Sequence, residues 1–212
     1  MEKYHVFQTY GLMKVFIDLR GGLIKSVGNG SEGECFLSTN RDVYKIYFNG
    51  FLNRGIKPEN VITKYELDLP SFLFPKELFI VDGIVMGHVT DYFPGNQFGF
   101  DNDSLEVYQL DYEALANAYD VFLQDLQVLS EHGIFVYELI YNLMFDGEKL
   151  VACDTCEYKR YSDFDFEELY QKNVETLDIA IDQALFMKRI NGEIEYELGD
   201  FKKYYNQRQN RK

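Results

Sequence analysis

The sequence has no tryptophan, three cysteines and four prolines in 212 residues. A small, odd cysteine count argues against a disulfide-bonded secreted fold and for a reducing compartment. Basic residues are scarce as well: 21 Lys and Arg face 35 Asp and Glu, leaving a net charge of −14. That balance disfavours nonspecific binding to nucleic acid or to an anionic membrane, so neither is expected as a partner. No apolar run is long enough to cross a bilayer, and the opening MEKYHVFQTYGLMKVF lacks an uninterrupted apolar signal core. These absences together predict a cytoplasmic protein. Internal repeats and low-complexity blocks are also missing.

What remains is a chain with a 46% hydrophobic share, enough to core one large domain or two small lobes. Aromatics reach 17%, all Tyr and Phe, which suits a well-buried fold containing β-structure. Residues Met1 to Arg20 alternate loosely and fit an added strand or a short helix. Gly21-Gly22 is a turn signal, and Leu23 to Val27 reads as a strand. Glu34 to Leu37 and Val43 to Phe48 read as two more strands around the polar turn Ser-Thr-Asn-Arg-Asp. Pro58 suits the first turn of a helix running to about Leu67, closed by Pro70 and Pro75. Leu78 to Val81, Asp82-Gly83 and Ile84 to Thr90 spell a hairpin with a favoured two-residue turn. From Asp111, a good N-cap, the positions Tyr112, Leu115, Ala116, Tyr119, Phe122, Leu126 and Leu129 recur at helical spacing, stopped by Gly133. A second small hairpin follows at Leu143 to Phe145 and Leu150 to Cys153. Helix then returns from Phe166, with Val174, Leu177, Ile181 and Leu185 on one face, ending at Asn191-Gly192. The basic, polar tail from Lys202 is expected to be a frayed, solvated end.

The most distinctive stretch runs from Leu23 to Phe48. Gly28, Gly30 and Gly33 form a Gly-x-Gly-x-x-Gly run with Ser31 at its centre, and Lys45 follows in a β-prone segment. A dinucleotide-binding unit would continue from such glycines into an apolar helix, and here strand, turn and strand follow instead. Glycines let a backbone approach phosphates closely, and a lysine adds a point charge for them. Cys153-Asp154-Thr155-Cys156 is a C-x-x-C, but it does not open a helix after a strand as a redox pair would. A zinc site would need two more ligands at comparable spacing. A buried strand cysteine is the expected role.

A glycine loop between antiparallel strands, with a lysine on the next strand, resembles the nucleotide-covering loop of the protein-kinase-like superfamily. Thr90-Asp91-Tyr92-Phe93-Pro94-Gly95 resembles the hinge of that superfamily. The resemblance implies that Thr90 faces the back of an adenine pocket while Asp91 and Phe93 offer main-chain contacts. His132-Gly133-Ile134, Asn142-Leu143-Met144 and Asp154 resemble its catalytic loop and metal-binding aspartate, whose pattern is H-x-D-L-x-x-x-N and then D-F-G. Mg²⁺ takes hard oxygen ligands, and Asn142 and Asp154 flank one tight hairpin.

The sequence departs from that pattern at named places. Tyr137 stands where the spacing expects the catalytic aspartate, and the acid–leucine pair is Glu138-Leu139, one residue closer to Asn142. Thr155 and Cys156 replace Phe and Gly, and both Glu59 and Glu66 are open as partners of Lys45. The resemblance spans about Leu23 to Tyr158 and is nearest to minimal bacterial kinase-like proteins such as small-molecule and sugar phosphotransferases. It implies an α+β, two-lobed fold: a small antiparallel-sheet lobe with one helix (1–90), a hinge and linker (91–110), and a reduced helical lobe (111–212). The expected cofactors are ATP and Mg²⁺, held between the lobes by Gly28, Gly30, Ser31, Gly33, Lys45, Thr90, Asp91, Phe93, Asn142 and Asp154. Glu138 is the expected orienter of an unspecified small-molecule or protein acceptor. A pseudokinase scaffold that keeps the cleft without the base, and a kinase-like protein transferring AMP, stand as alternatives.

Overall fold

The N-terminal segment adopts both structures that its pattern allows. Strand β1 (Lys3–Phe7) leads into helix α1 (Tyr10–Gly21) in the computed structural model, which describes residues 3–49, 55–98, 111–190, 192 and 194–211. Thr9 caps α1 by accepting the Leu12 amide at 3.3 Å, and Gly22 ends it in the left-handed conformation, φ 52°. Strands β2 (Leu23–Asn29), β3 (Gly33–Ser38) and β4 (Asp42–Tyr47) then form an antiparallel meander. Strands β5 (Glu77–Val81) and β6 (Ile84–Asp91) form the expected hairpin, with Asp82 and Gly83 both at positive φ in its turn. The six strands make one sheet in the order β1-β5-β6-β4-β3-β2, antiparallel except for the parallel β1–β5 pair. The protein is therefore α+β.

The chain divides into two units: 1–69, 73–93 and 155–157 in the first, and 70–72, 94–154 and 158–212 in the second. In the first, α1 lies on one sheet face. Phe16 of α1 meets Phe79 of β5, which stacks at 6.0 Å on Tyr44 of β4. Arg20 clamps the helix to β5 through a bidentate pair with the nearly buried Glu77, at 2.5 and 2.8 Å.

The helix expected from Pro58 does not form, and this is a correction. Only one 3-10 turn, Pro58–Asn60, is present, and Val61 beyond it is extended. The β-branched run Val61-Ile62-Thr63 is buried as extended chain, so burial overrides the weak helical signal. Glu59 and Glu66 thus do not share a helix from which either could be presented to Lys45. Lys64 and Lys76 instead fasten this segment to the sheet: both bond Asp91 of β6, at 2.6 and 2.8 Å, and Lys76 also reaches Asp42.

In the second unit, β7 (Asn96–Gln97) precedes α2 (Tyr112–Glu131), capped by Asp111 as expected, and β8 (Ile134–Phe135). The part of the expected linker at 99–110 lies outside the described residues. The hairpin of β9 (Leu143–Phe145) and β10 (Leu150–Ala152) forms a three-stranded sheet with β7, and β11 (Lys159–Arg160) pairs with β8. Helix α3 (Phe166–Ile190) packs against α2.

The C-terminal segment is a further correction. It forms helix α4 (Asp200–Gln209), docked on α2, where a frayed end was expected. Phe201 and Tyr205, four residues apart, are buried, and Arg208 pairs with Glu113 and Asp120 at 2.8 and 2.7 Å. One buried aromatic pair and one anchored arginine outweigh a polar composition.

The glycines of the β2–β3 hairpin are not equivalent. A Cβ on Gly33 would lie 2.4 Å from the Ile46 carbonyl oxygen, whereas one on Gly28 would meet nothing closer than 3.8 Å. Gly33→Ala is expected to cost about 1–3 kcal/mol and lower the melting temperature by roughly 3–10 °C. Gly28→Ala should leave it nearly unchanged, and thermal melts of the two variants check this.

Candidate functional site

In the first unit, strand alternation decides what surrounds Lys45. Its cross-strand partners are Cys35 on β3 and His88 on β6, and Gly28 on β2 lies opposite Cys35, so the four form one row across the sheet. Val43 and Tyr47, two residues either side on β4, share that face, as does Thr90, the partner of Val43. This is the face opposite α1. Lys45 is half-buried with its ammonium 5.0 Å from the Tyr47 ring centroid, while Tyr47, His88 and Thr90 are buried. The structure therefore brings Lys45, Thr90 and the start of the glycine hairpin onto one surface.

The hairpin tip is exposed, with Ser31 in a bend. The Gly30 amide donates to the Gly33 carbonyl at 3.0 Å, and the Phe48 amide donates to the Glu32 carbonyl at 2.8 Å. The Gly30 donor is thus already used within the turn. Asp91 continues β6 opposite Asp42, and its side chain is committed to Lys64 and Lys76. Burial pushes the Asp91 carboxyl up, but these two ammonium groups outweigh it and hold the carboxyl below its ordinary value. Phe93, half-buried, is the last residue before the chain enters the second unit.

His88 has no motif partner in the sequence, and the fold supplies one. Its Nδ1 lies 3.3 Å from the Cys156 sulfur, and both residues are buried. A buried strand cysteine was expected; Cys156 is buried, but it lies in the 3-10 turn Thr155–Glu157 that the first unit holds, and Cys153, just past β10, is half-buried. Thr155 in the same segment donates to the Leu73 carbonyl. No spacing rule links residues 68 positions apart.

In the second unit, the candidate catalytic loop is pinned at both ends. Asn173 of α3, fully buried, accepts the Val136 amide at 2.8 Å and donates to the Ile134 carbonyl and to Ser130, each at 2.9 Å. It holds β8 just before Tyr137 and Glu138. Asn173 sits at i, i+4, i+8 with Leu169 and Leu177 on the buried stripe of α3, a polar residue in an apolar row, which is the signal that marks it.

Glu138 follows in the left-handed conformation, φ 54° and ψ 48°, and starts the 3-10 turn Leu139–Tyr141, with Leu139 buried beneath it. The Asn142 side-chain amide donates to the Glu138 carbonyl at 2.9 Å, leaving its oxygen as that group's acceptor atom. The Asn142 backbone carbonyl accepts from the Cys153 amide at 2.8 Å, which sets Asn142 beside the residue preceding Asp154. Asp154 is itself left-handed, φ 57°. Among the described residues four non-glycines have positive φ: Arg41 and Asp82 lie in hairpin turns, and the other two are Glu138 and Asp154. Such conformations in non-glycine residues concentrate at functional sites.

Tyr137, at the position expected for an aspartate, is exposed and has the Lys159 ammonium 4.9 Å from its ring centroid. No group of three or more His, Cys, Asp or Glu residues able to hold a metal ion is found among the described residues. Asn142 and Asp154 remain the expected Mg²⁺ ligands, oxygen donors of the type such an ion takes when phosphate and water complete its shell. Compared with protein-family models and with curated proteins, the chain matches none.

Two consequences are measurable. Glu138→Gly removes the left-handed penalty from an exposed residue and should stabilise the protein by about 1 kcal/mol, read as a higher urea midpoint. Because the folded Asp91 carboxyl lies below its ordinary value, its contribution is fully present above the unfolded value near ~3.9. That contribution is lost as pH falls through the lower folded value. Urea melts should show wild-type stability falling more steeply than that of Asp91→Asn below about pH 4.

Proposed function

We propose that the protein is an ATP- and Mg²⁺-dependent phosphotransferase of protein-kinase-like type. The observation that carries this reading is the coincidence at Glu138 and Asp154. The two carboxylates singled out by the catalytic pattern are also the two non-glycine residues whose left-handed backbone no hairpin turn requires. Asn142, the third member, is bonded to the Glu138 carbonyl and to the residue preceding Asp154.

In this reading the first unit approaches the nucleotide's phosphates with its glycine hairpin and Lys45, and Thr90, Asp91 and Phe93 contribute at its hinge end. The second unit supplies Asn142 and Asp154 as Mg²⁺ ligands, and the ion adds charge stabilisation at the transferring phosphoryl group. Glu138 receives or orients the acceptor hydroxyl. Asn173 holds the strand that leads into Glu138, so it acts on the loop's position and not on the substrate.

A second reading has its own observation. Tyr137 carries no proton acceptor of carboxylate strength and is occupied by the Lys159 ammonium, which favours a nucleotide-binding scaffold lacking the base. Incubation with γ- and α-labelled ATP plus Mg²⁺ separates these possibilities. Phosphoryl transfer predicts γ-label incorporation that falls at least about 100-fold in Lys45→Ala and Asp154→Ala. Incorporated α-label means AMP transfer. Nucleotide-dependent thermal stabilisation without label means a scaffold, and no stabilisation by Mg·ATP removes both readings.

A further inference from the structure

We draw no further inference here: the strongest candidate, the apolar ridge of Leu12, Val15 and Leu19 on the solvent side of α1 together with the slot of about 350 Å³ beside it between α1 and β2, is an unpartnered apolar face, and nothing in the structure shows what covers it.

Discussion

A single buried amide underlies the loop on which the functional reading turns. Asn173 reaches from α3 to the backbone on both sides of Phe135, satisfying one donor and one acceptor that β8, only two residues long, would otherwise bury. Its own amide is satisfied in return by Ser130 at the end of α2. Helix, strand and helix are thus joined by hydrogen bonds, and Glu138 emerges from a backbone whose direction is set three residues earlier. A left-handed glutamate is tolerable there because the surrounding structure over-determines it.

The first unit shows a comparable division of labour between packing and polarity. Its sheet is apolar on the α1 side, where aromatic contacts and the Arg20–Glu77 pair hold the helix. On the other face it carries a mixed row, Gly28, Cys35, Lys45 and His88, in which each residue type has a distinct use. The small residues keep the backbone accessible at the hairpin, the lysine provides charge, and the histidine anchors the 155–157 segment through Cys156. This segment directly follows Asp154 in the chain.

The helix that did not form is as instructive as those that did. Pro58 and the acidic residues after it satisfy the local rules for a helix start, yet Val61, Ile62 and Thr63 gain more from lying extended and buried. The opposite occurred at the C-terminus. There, Phe201, Tyr205 and Arg208 use α2 as a template, and a segment with little apolar content becomes a docked helix. Both errors have one cause: a local propensity of a few tenths of a kcal/mol per residue is smaller than the burial of one aromatic or β-branched side chain.

Strands β2 to β6, helices α2 and α3, the Asp-Gly turn and the Asp111 cap were all legible from residue order, because period-2 and period-3.6 patterns and turn chemistry act over neighbouring positions. The glycine run, Lys45, Glu138, Asn142 and Asp154 could likewise be picked out one by one. Folding alone decided that Lys45 shares a face with Thr90 and His88, that Cys156 finds His88, and that Asn173 underwrites the loop. It also decided that Glu138 and Asp154 take left-handed backbones. Each of these depends on residues tens of positions apart being brought within hydrogen-bond or van der Waals reach, and only the packing of elements against one another sets such distances.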